Sequence, residues 1–495
     1  MLKKLLSLNT AQLTALSFIF FSILGSILLM ISEQHTNFSL YDAFSTSYNH
    51  YPTLTTFNST GLKLIDALYL SVSAICVTGL MTIDFNQLSF FGHLIIISLV
   101  QIGGLGIILI ASIIAMTIIR GISEKETFNK ILSETLDTKN HAVKHMVKHV
   151  LLYTFLIELF GILSMFGYYF LSKPDFYQNQ PIWWSIFHSI SAFNSSGFSL
   201  MQDNLIQLQN HPFLILVFLL LMLLGSLGYP VLIYLHSKTK KLLFIKDDLL
   251  EEDVKHVVAS KVQVRIALTG FLSTIIVLTI LIMFIQDANI NKFLIYLFQV
   301  TSSFTAGFTI TDITVLYMPS IFLMAIMMFI GGNPAGTAGG IKFPTLVVLY
   351  GYIKDWFNKP GQPVRILGRN ISKFAVSHAI RLFFGSIFII TISTFTICLL
   401  EKNNLLILNN LINLEKILFE VFAAYSTVGM TLGFPGSNVS FSAILSDGSK
   451  LVLIITMLSG RIGLLTILSA MPFKTKYTDS ELSRDFPNSD KIQIG

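Results

Sequence analysis

Four glycines, Gly79, Gly197, Gly307 and Gly429, each close a short stretch of small and hydroxyl residues. The stretches read Ser73-Ala74-Ile75-Cys76-Val77-Thr78-Gly79-Leu80 and Ser191-Ala192-Phe193-Asn194-Ser195-Ser196-Gly197-Phe198. The third is Ser302-Ser303-Phe304-Thr305-Ala306-Gly307-Phe308, and the fourth is Ala423-Ala424-Tyr425-Ser426-Thr427-Val428-Gly429-Met430. Rings of backbone carbonyls can replace the water shell of a dehydrated cation. To aim successive carbonyls inward the chain needs unusual dihedrals, and glycine supplies φ > 0 at no steric cost. A helix ending just before each loop adds the negative end of its dipole. The candidate ligands are Val77, Thr78 and Gly79; Ser195, Ser196 and Gly197; Thr305, Ala306 and Gly307; and Thr427, Val428 and Gly429. Asp84, Asp203 and Asp312 follow the first three glycines by five, six and five residues, while Phe434 stands at the five-residue offset in the fourth. At an outer mouth these acids would raise the local cation concentration. A single loop of this kind is as readily a helix–helix contact; four in register are not.

Two further elements belong to the same chemistry. Gly331-Gly332-Asn333-Pro334-Ala335-Gly336-Thr337-Ala338-Gly339-Gly340-Ile341-Lys342 interrupts an apolar run that starts at Ile321 and then resumes. That density of Gly and Pro cannot stay helical, and unwound backbone at membrane depth lines an ion path. The segment, with Gly331, Gly332, Gly336, Thr337, Gly339, Gly340 and Lys342 as its key residues, is expected to be a movable gate beneath the loops. Arg461 lies within the last apolar run, in Ser459-Gly460-Arg461-Ile462-Gly463. An intramembrane charge costs ~2.5 kcal/mol or more and is functional by default. Its expected partners are carbonyls of the broken 331–340 segment.

The elements that must position these residues are membrane helices. Only 12% of the 495 residues are charged and 53% are hydrophobic, whereas a soluble domain carries about a quarter charged residues. Runs long enough to span, ~20 apolar residues, cover 11–32, 90–118, 148–171, 213–235, 264–285, 318–350, 377–399 and 450–472. Between alternate pairs lie the shorter half-polar segments 64–80, 182–198, 293–308 and 415–430, which hold the glycine loops. The run after Lys3 and Lys4 is longer than a signal peptide core of ~7–15 residues and is expected to be a retained span. Basic residues crowd three loops: Arg120, Lys125, Lys130, Lys139, Lys144 and Lys148; Lys238, Lys240, Lys241, Lys246, Lys255 and Lys261; and Lys354, Lys359, Arg365, Arg369 and Lys373. Positive loops stay cytoplasmic. Both termini are therefore expected inside, with the four loops entering and leaving from outside. The expected fold is an all-α integral membrane protein of eight transmembrane helices, in four helix–re-entrant loop–helix units around one pseudo-fourfold pore. The units run 1–118, 119–236, 237–350 (broken at 331–342) and 351–472, followed by a cytoplasmic tail at 473–495.

These residues resemble the Trk/Ktr/HKT superfamily of K+ transporters, and most closely its KtrB-type membrane subunits. The resemblance covers nearly the whole chain. It rests on the four glycines, on the GG-x-P-x-x-TAGG-x-K segment from Gly331 to Lys342, on G-R-x-G at Gly460–Gly463, and on the tail Lys491-Ile492-Gln493-Ile494-Gly495. One span before the first loop, not three, favours KtrB over TrkH. The chain departs from the family with Phe304 where an Arg is usual, Ser195-Ser196 where Asn-Ala is frequent, and Leu464 where a Pro is common. The resemblance implies four M1–P–M2 units, and K+ rather than Na+ because Gly79 is not Ser. It implies K+ uptake across the cytoplasmic membrane, a homodimer, and cytosolic nucleotide-binding RCK subunits of the KtrA or TrkA kind.

Other readings fit less well. Cys76 and Cys398 lie far apart in apolar segments and suggest no disulfide framework or zinc site. His141, His145 and His149 share one helical face, but Lys144 and Lys148 beside them would repel a metal, so a solvated face is expected. His188 reads as a packing and hydrogen-bonding residue. The formal charge of +6 is dispersed over loops and does not point to nucleic acid. An enzyme would need clustered acids or a nucleophile, and neither H-E-x-x-H nor G-x-S-x-G occurs. No nucleotide fingerprint occurs either; Gly103-Gly104-Leu105-Gly106 lies in an apolar run and reads as close helix packing. The remaining alternatives are a Na+-permeable protein or an alternating-access cation symporter, which would carry paired broken helices; by sequence only the third unit's second helix is clearly broken.

Overall fold

The computed structural model describes residues 10–34, 37–39, 58–106, 140–177, 180–242, 261–355, 364–404, 413–433 and 438–463. Phe434, the tail 473–495 and the basic segment 119–139 lie outside them, and the side chains of His141 and His145 are likewise not described. The described chain is mostly helical. Its few strands form two short antiparallel pairs: β1 (Asn37–Ser39) with β2 (Asn58–Thr60), and β3 (Arg365–Ile366) with β4 (Arg369–Asn370).

The helices fall into four triples. The first is α1 (Thr10–Ser32), α2 (Leu64–Ile75) and α3 (Phe90–Leu105). The second is α4 (Asn140–Ser172), α5 (Pro181–Phe193) and α6 (Pro212–Leu227), extended by α7 (Tyr229–Leu242). In the third, α8 (Lys261–Arg265) passes through a π-helical turn into α9 (Leu272–Ile285), followed by α10 (Phe293–Thr305), α11 (Met318–Ile330) and α12 (Phe343–Asp355). The fourth is α13 (Lys373–Glu401), α14 (Leu414–Tyr425) and α15 (Asp447–Ile462).

Within each triple the long first helix, the short middle helix and the third helix pack on one another. Each third helix also packs on the middle helix of the next triple: α3 on α5, α6 on α10, α11 on α14, and α15 back on α2. The contacts therefore close a ring.

Composition explains which helices sit where. The long helices expose rows of large apolar side chains, such as Phe20, Phe155, Phe284 and Phe395, at 60%, 61%, 79% and 64%. So broad an apolar surface is unfavourable in water and natural in lipid. The middle helices bury most of their residues, including serines in the first three of them. With 12 or 13 residues each is about 18–20 Å long, too short for a hydrocarbon core of about 30 Å.

The third helices are also short, which corrects the expectation of uninterrupted spans at 213–235. Helix α6 stops at Gly228 (φ 85°), and α7 departs from it at 103°. A methyl group on Gly228 would lie 2.3 Å from the Pro334 carbonyl oxygen, so the break accommodates the 331–342 segment. The third unit's second helix is thus not the only broken one. Helices α3, α11 and α15 likewise end at positive-φ glycines, Gly106, Gly331 and Gly463. Among the described residues four helices are individually long and apolar enough to cross a membrane, or five if the bent pair is one span. Residues 107–118 and 464–472, which would extend α3 and α15, lie outside the described residues.

Candidate functional site

The residue before each of the four glycines turns its carbonyl toward the glycine of a neighbouring triple. A Cβ built on Gly79 would lie 2.2 Å from Ser196 O, one on Gly197 2.7 Å from Ala306 O, one on Gly307 1.7 Å from Val428 O, and one on Gly429 1.9 Å from Thr78 O. The order runs first to second to third to fourth and back to the first. Any side chain at these positions would collide with a backbone oxygen of the next loop, so the ring requires glycine on steric grounds as well as for its φ of 73–90°. Eight of the twelve candidate ligand residues, the four glycines and the residues just before them, thus come together at one place.

The loops are alike but not identical. Each is tied to its own helix by a backbone bond reaching back five residues: Thr78 N–H to Ser73 O, Ser196 to Ser191, Gly307 to Ser302 and Val428 to Ala423. Two residues before the glycine, Val77, Ser195 and Thr427 adopt left-handed φ of 58°, 60° and 47°. Sequence reasoning assigned that geometry to glycine alone. In the third loop α10 runs on through Thr305, and no residue before Gly307 is left-handed. That loop is one residue shorter between its anchor, Ser302, and its glycine. The hydroxyls of Thr78, Ser426 and Thr427 are buried with no protein partner, and an unsatisfied buried hydroxyl calls for a ligand or water.

Beside the ring lies a pocket lined by Gly79, Gly307, Gly429, Asp203, Asp312 and Asn438, among others. Asp203 and Asp312 both line it. Asp84 is not among its lining residues: it is buried, and its carboxylate accepts the Asn86 N–H to cap a 3-10 turn. Asp312 caps the equivalent turn at Thr314. Burial raises the pKa of Asp203 above the ordinary carboxylate value.

Residues 331–342 form an irregular loop against the segments that precede the second and fourth glycines. Thr337 Oγ1 donates to Phe193 O at 3.0 Å and meets Ser195 Oγ at 3.0 Å. The Thr337 and Asn333 N–H groups donate to Gly225 O and Ser226 O. A Cβ on Gly339 would lie 2.1 Å from both Ser426 O and Thr427 Oγ1. Lys342 curls back and donates to Ala338 O and Gly339 O. Arg461 donates to Thr337 O and to Gly103 O, each at 2.7 Å. One guanidinium thus joins this loop to α3.

The contact between Lys450 and Asp66 was not legible in the sequence, whereas close packing at Gly103 was. Lys450, on α15, forms a buried ion pair at 2.8 Å with Asp66, in the first turn of α2. Gly103, Gly225 and Gly460 pack onto the last carbonyls of α2, α5 and α14, where a Cβ would lie 1.9, 2.0 and 1.7 Å from Ile75 O, Phe193 O and Tyr425 O. The sequence signal was available: Gly103, Gly225 and Gly460 each precede a helix-ending glycine by three residues. His188 is the packing residue expected, with Nδ1 on Trp184 O and Nε2 facing Ser199 Oγ.

This geometry defines a class: helical membrane proteins in which backbone loops between helices meet in one ring. The chain belongs to the TrkH family of cation transport proteins, which matches residues 10–476. It is 29% identical over 468 residues to the Ktr system potassium uptake protein B of Bacillus subtilis (strain 168), covering 92% of each chain. It is 28% identical over 429 residues to the protein of that name from Vibrio alginolyticus, covering 84% of this chain and 86% of the relative. The potassium/sodium uptake protein NtpJ of Enterococcus hirae is 28% identical over 422 residues. Among solved structures, the potassium transporter TrkH from Vibrio parahaemolyticus shares the fold at a TM-score of 0.64 and 18% identity, over 93% of this chain and 84% of that one.

Proposed function

We propose that the chain is the ion-translocating subunit of a Ktr/Trk-type system that takes up K+ through the ring of four glycine loops. The observation that carries this reading is the cyclic approach of each pre-glycine carbonyl to the next loop's glycine. Carbonyls so arranged, with the free hydroxyls of Thr78 and Thr427, offer a dehydrated cation an oxygen cage. Relatives named as potassium uptake proteins support K+ as the ion.

In this reading the four helix triples are M1–P–M2 units, with eight spans in all and the boundaries drawn from the sequence. The first and third helices cross the membrane, while α2, α5, α10 and α14 are pore helices entering from outside. The twelve loop residues are the filter, Asp203 and Asp312 attract cations to its mouth, and Gly331–Lys342 with Arg461 closes the path beneath it. The subunit works as a homodimer in the cytoplasmic membrane, both termini inside, with nucleotide-binding RCK subunits on its cytosolic face; the word "system" in its relatives' names supports a multi-component assembly.

The test is K+ and Na+ flux into liposomes holding the purified protein, wild type and Gly79→Ser. K+ flux in the wild type, shifted toward Na+ by the serine that must push aside Ser196 O, is the expected result. Absence of cation flux, with or without a cytosolic partner, sinks the pore reading. The break at Gly228 beside that at Gly331 supports one second reading, alternating-access symport with paired broken helices; flux strictly coupled to a second ion's gradient would favour it.

A further inference from the structure

Three of the four middle helices carry one polar side chain at the same register, three residues before the anchoring carbonyl: His188, Gln299 and Glu420. Each is buried at 0–1% exposure. Each reaches across to the strand that leaves the ring two or three residues beyond its own glycine. His188 Nε2 meets Ser199 Oγ at 3.1 Å and accepts from Leu200 N–H. Gln299 Oε1 accepts from Ile310 N–H at 3.1 Å. Glu420 accepts from Thr431 Oγ1 at 2.6 Å and from Ser442 N–H at 3.0 Å. The first triple has Leu70 there and no such strut.

The missing strut is supplied by a neighbour. Met81, two residues past Gly79, donates its N–H to Ser440 Oγ and accepts Ser440 N–H, both at 2.8 Å. Ser440 lies in the segment that Glu420 holds, because Glu420 fixes Ser442 directly and Phe441 through Thr431, whose hydroxyl oxygen accepts Phe441 N–H at 2.9 Å. One carboxylate therefore holds the outer strands of two adjacent loops.

We infer that Glu420 is a positioning residue for ion selectivity, setting the spacing of the fourth loop directly and of the first loop through Ser440. The inference rests on the pore reading above. Physically, a carboxylate suits this place because it offers two strong acceptors to two donors eleven residues apart, the Thr431 hydroxyl and Ser442 N–H. A leucine leaves Ser442 N–H and the Thr431 hydroxyl unsatisfied. A glutamine keeps one acceptor and turns an amide N–H toward Thr431. Discrimination between cations depends on how oxygen ligands are held, so loosened outer strands should admit Na+ before they abolish flux.

The experiment compares K+ and Na+ flux in proteoliposomes for the wild type, Glu420→Gln, Glu420→Leu and Ser440→Ala, with thermal unfolding of each protein in detergent as a check on folding. Glu420→Leu is expected to lower the K+/Na+ flux ratio roughly tenfold, the scale of one lost charge-assisted hydrogen bond, and Glu420→Gln by less. Ser440→Ala, which leaves Glu420 intact, is expected to lower the ratio through the first loop, with little further loss when combined with Glu420→Gln. An unchanged ratio in folded Glu420→Gln and Ser440→Ala overturns the inference, and these two variants decide the matter should Glu420→Leu fail to fold. Absence of K+ flux in the wild type would instead strike the pore reading itself.

Discussion

Arg461 makes two hydrogen bonds to backbone carbonyls, Thr337 O and Gly103 O. Each such bond from a charged donor contributes about 1.5–3 kcal/mol. Replacing Arg461 by Gln should free the Gly331–Lys342 loop, and even about 1.4 kcal/mol shifts the closed-to-open balance tenfold. Basal K+ flux of Arg461→Gln liposomes should exceed wild type; lower flux from a folded protein would mean the guanidinium does not latch this loop. Asp203 makes a second prediction. Its pKa is raised by burial, so as external pH falls it loses its charge before an ordinary carboxylate does. K+ flux at limiting K+ should decline in that window, and Asp203→Asn should lower the plateau and erase this step. An identical pH profile in the variant would remove Asp203 from the mouth.

Among the helices, the decisive detail is where each third helix stops. Gly228 holds φ 85° and sits against Pro334 O. An alanine there adds about 1–2 kcal/mol of left-handed strain and a clash with the very segment proposed as the gate. Gly228→Ala should therefore melt at a lower temperature and conduct more K+ at rest than the wild type. Stability and flux both unchanged would show that α6 and the 331–342 loop are not mechanically joined. The four first helices are each tied to the start of their third helix by a polar contact: Glu33 with Ser89, Tyr168 with His211, Gln286 with Ser320, and Glu401 with Ser446. The first and fourth triples share a Glu–Ser pair while the second and third use other residue types, which hides the full repeat from a comparison of sequence alone.

Over the whole molecule the ring must close between residues 384 positions apart in sequence. Asp66 and Lys450 do this with a buried ion pair at 2.8 Å. Breaking one partner of a buried pair costs about 3–5 kcal/mol, whereas an apolar pair of similar volume is often tolerated. Asp66→Asn should be strongly destabilised, and Asp66→Leu with Lys450→Met should recover most of the loss, as read by thermal unfolding in detergent. Equal stability in all three proteins would deny this contact a part in ring closure.

The sequence alone determined the membrane setting, the four glycine loops, the irregular 331–342 segment and the unusual Arg461. Each is a local signal: apolar runs, small residues at fixed offsets, a helix-breaking density of glycine, a charge where none is cheap. Tertiary structure decided the rest. The left-handed φ at Val77, Ser195 and Thr427 is imposed by loop closure, not by residue preference. The second break at Gly228 and the burial of Asp84 depend on what stands opposite them. Glu420, Lys450 and Asp66 read as ordinary charges until folding brings Ser442 and one another within 3.0 Å. Partners so distant in sequence leave no periodic trace, because a single hydrogen bond is specified by one residue at each end, whereas a helix or a loop is specified by many neighbours agreeing.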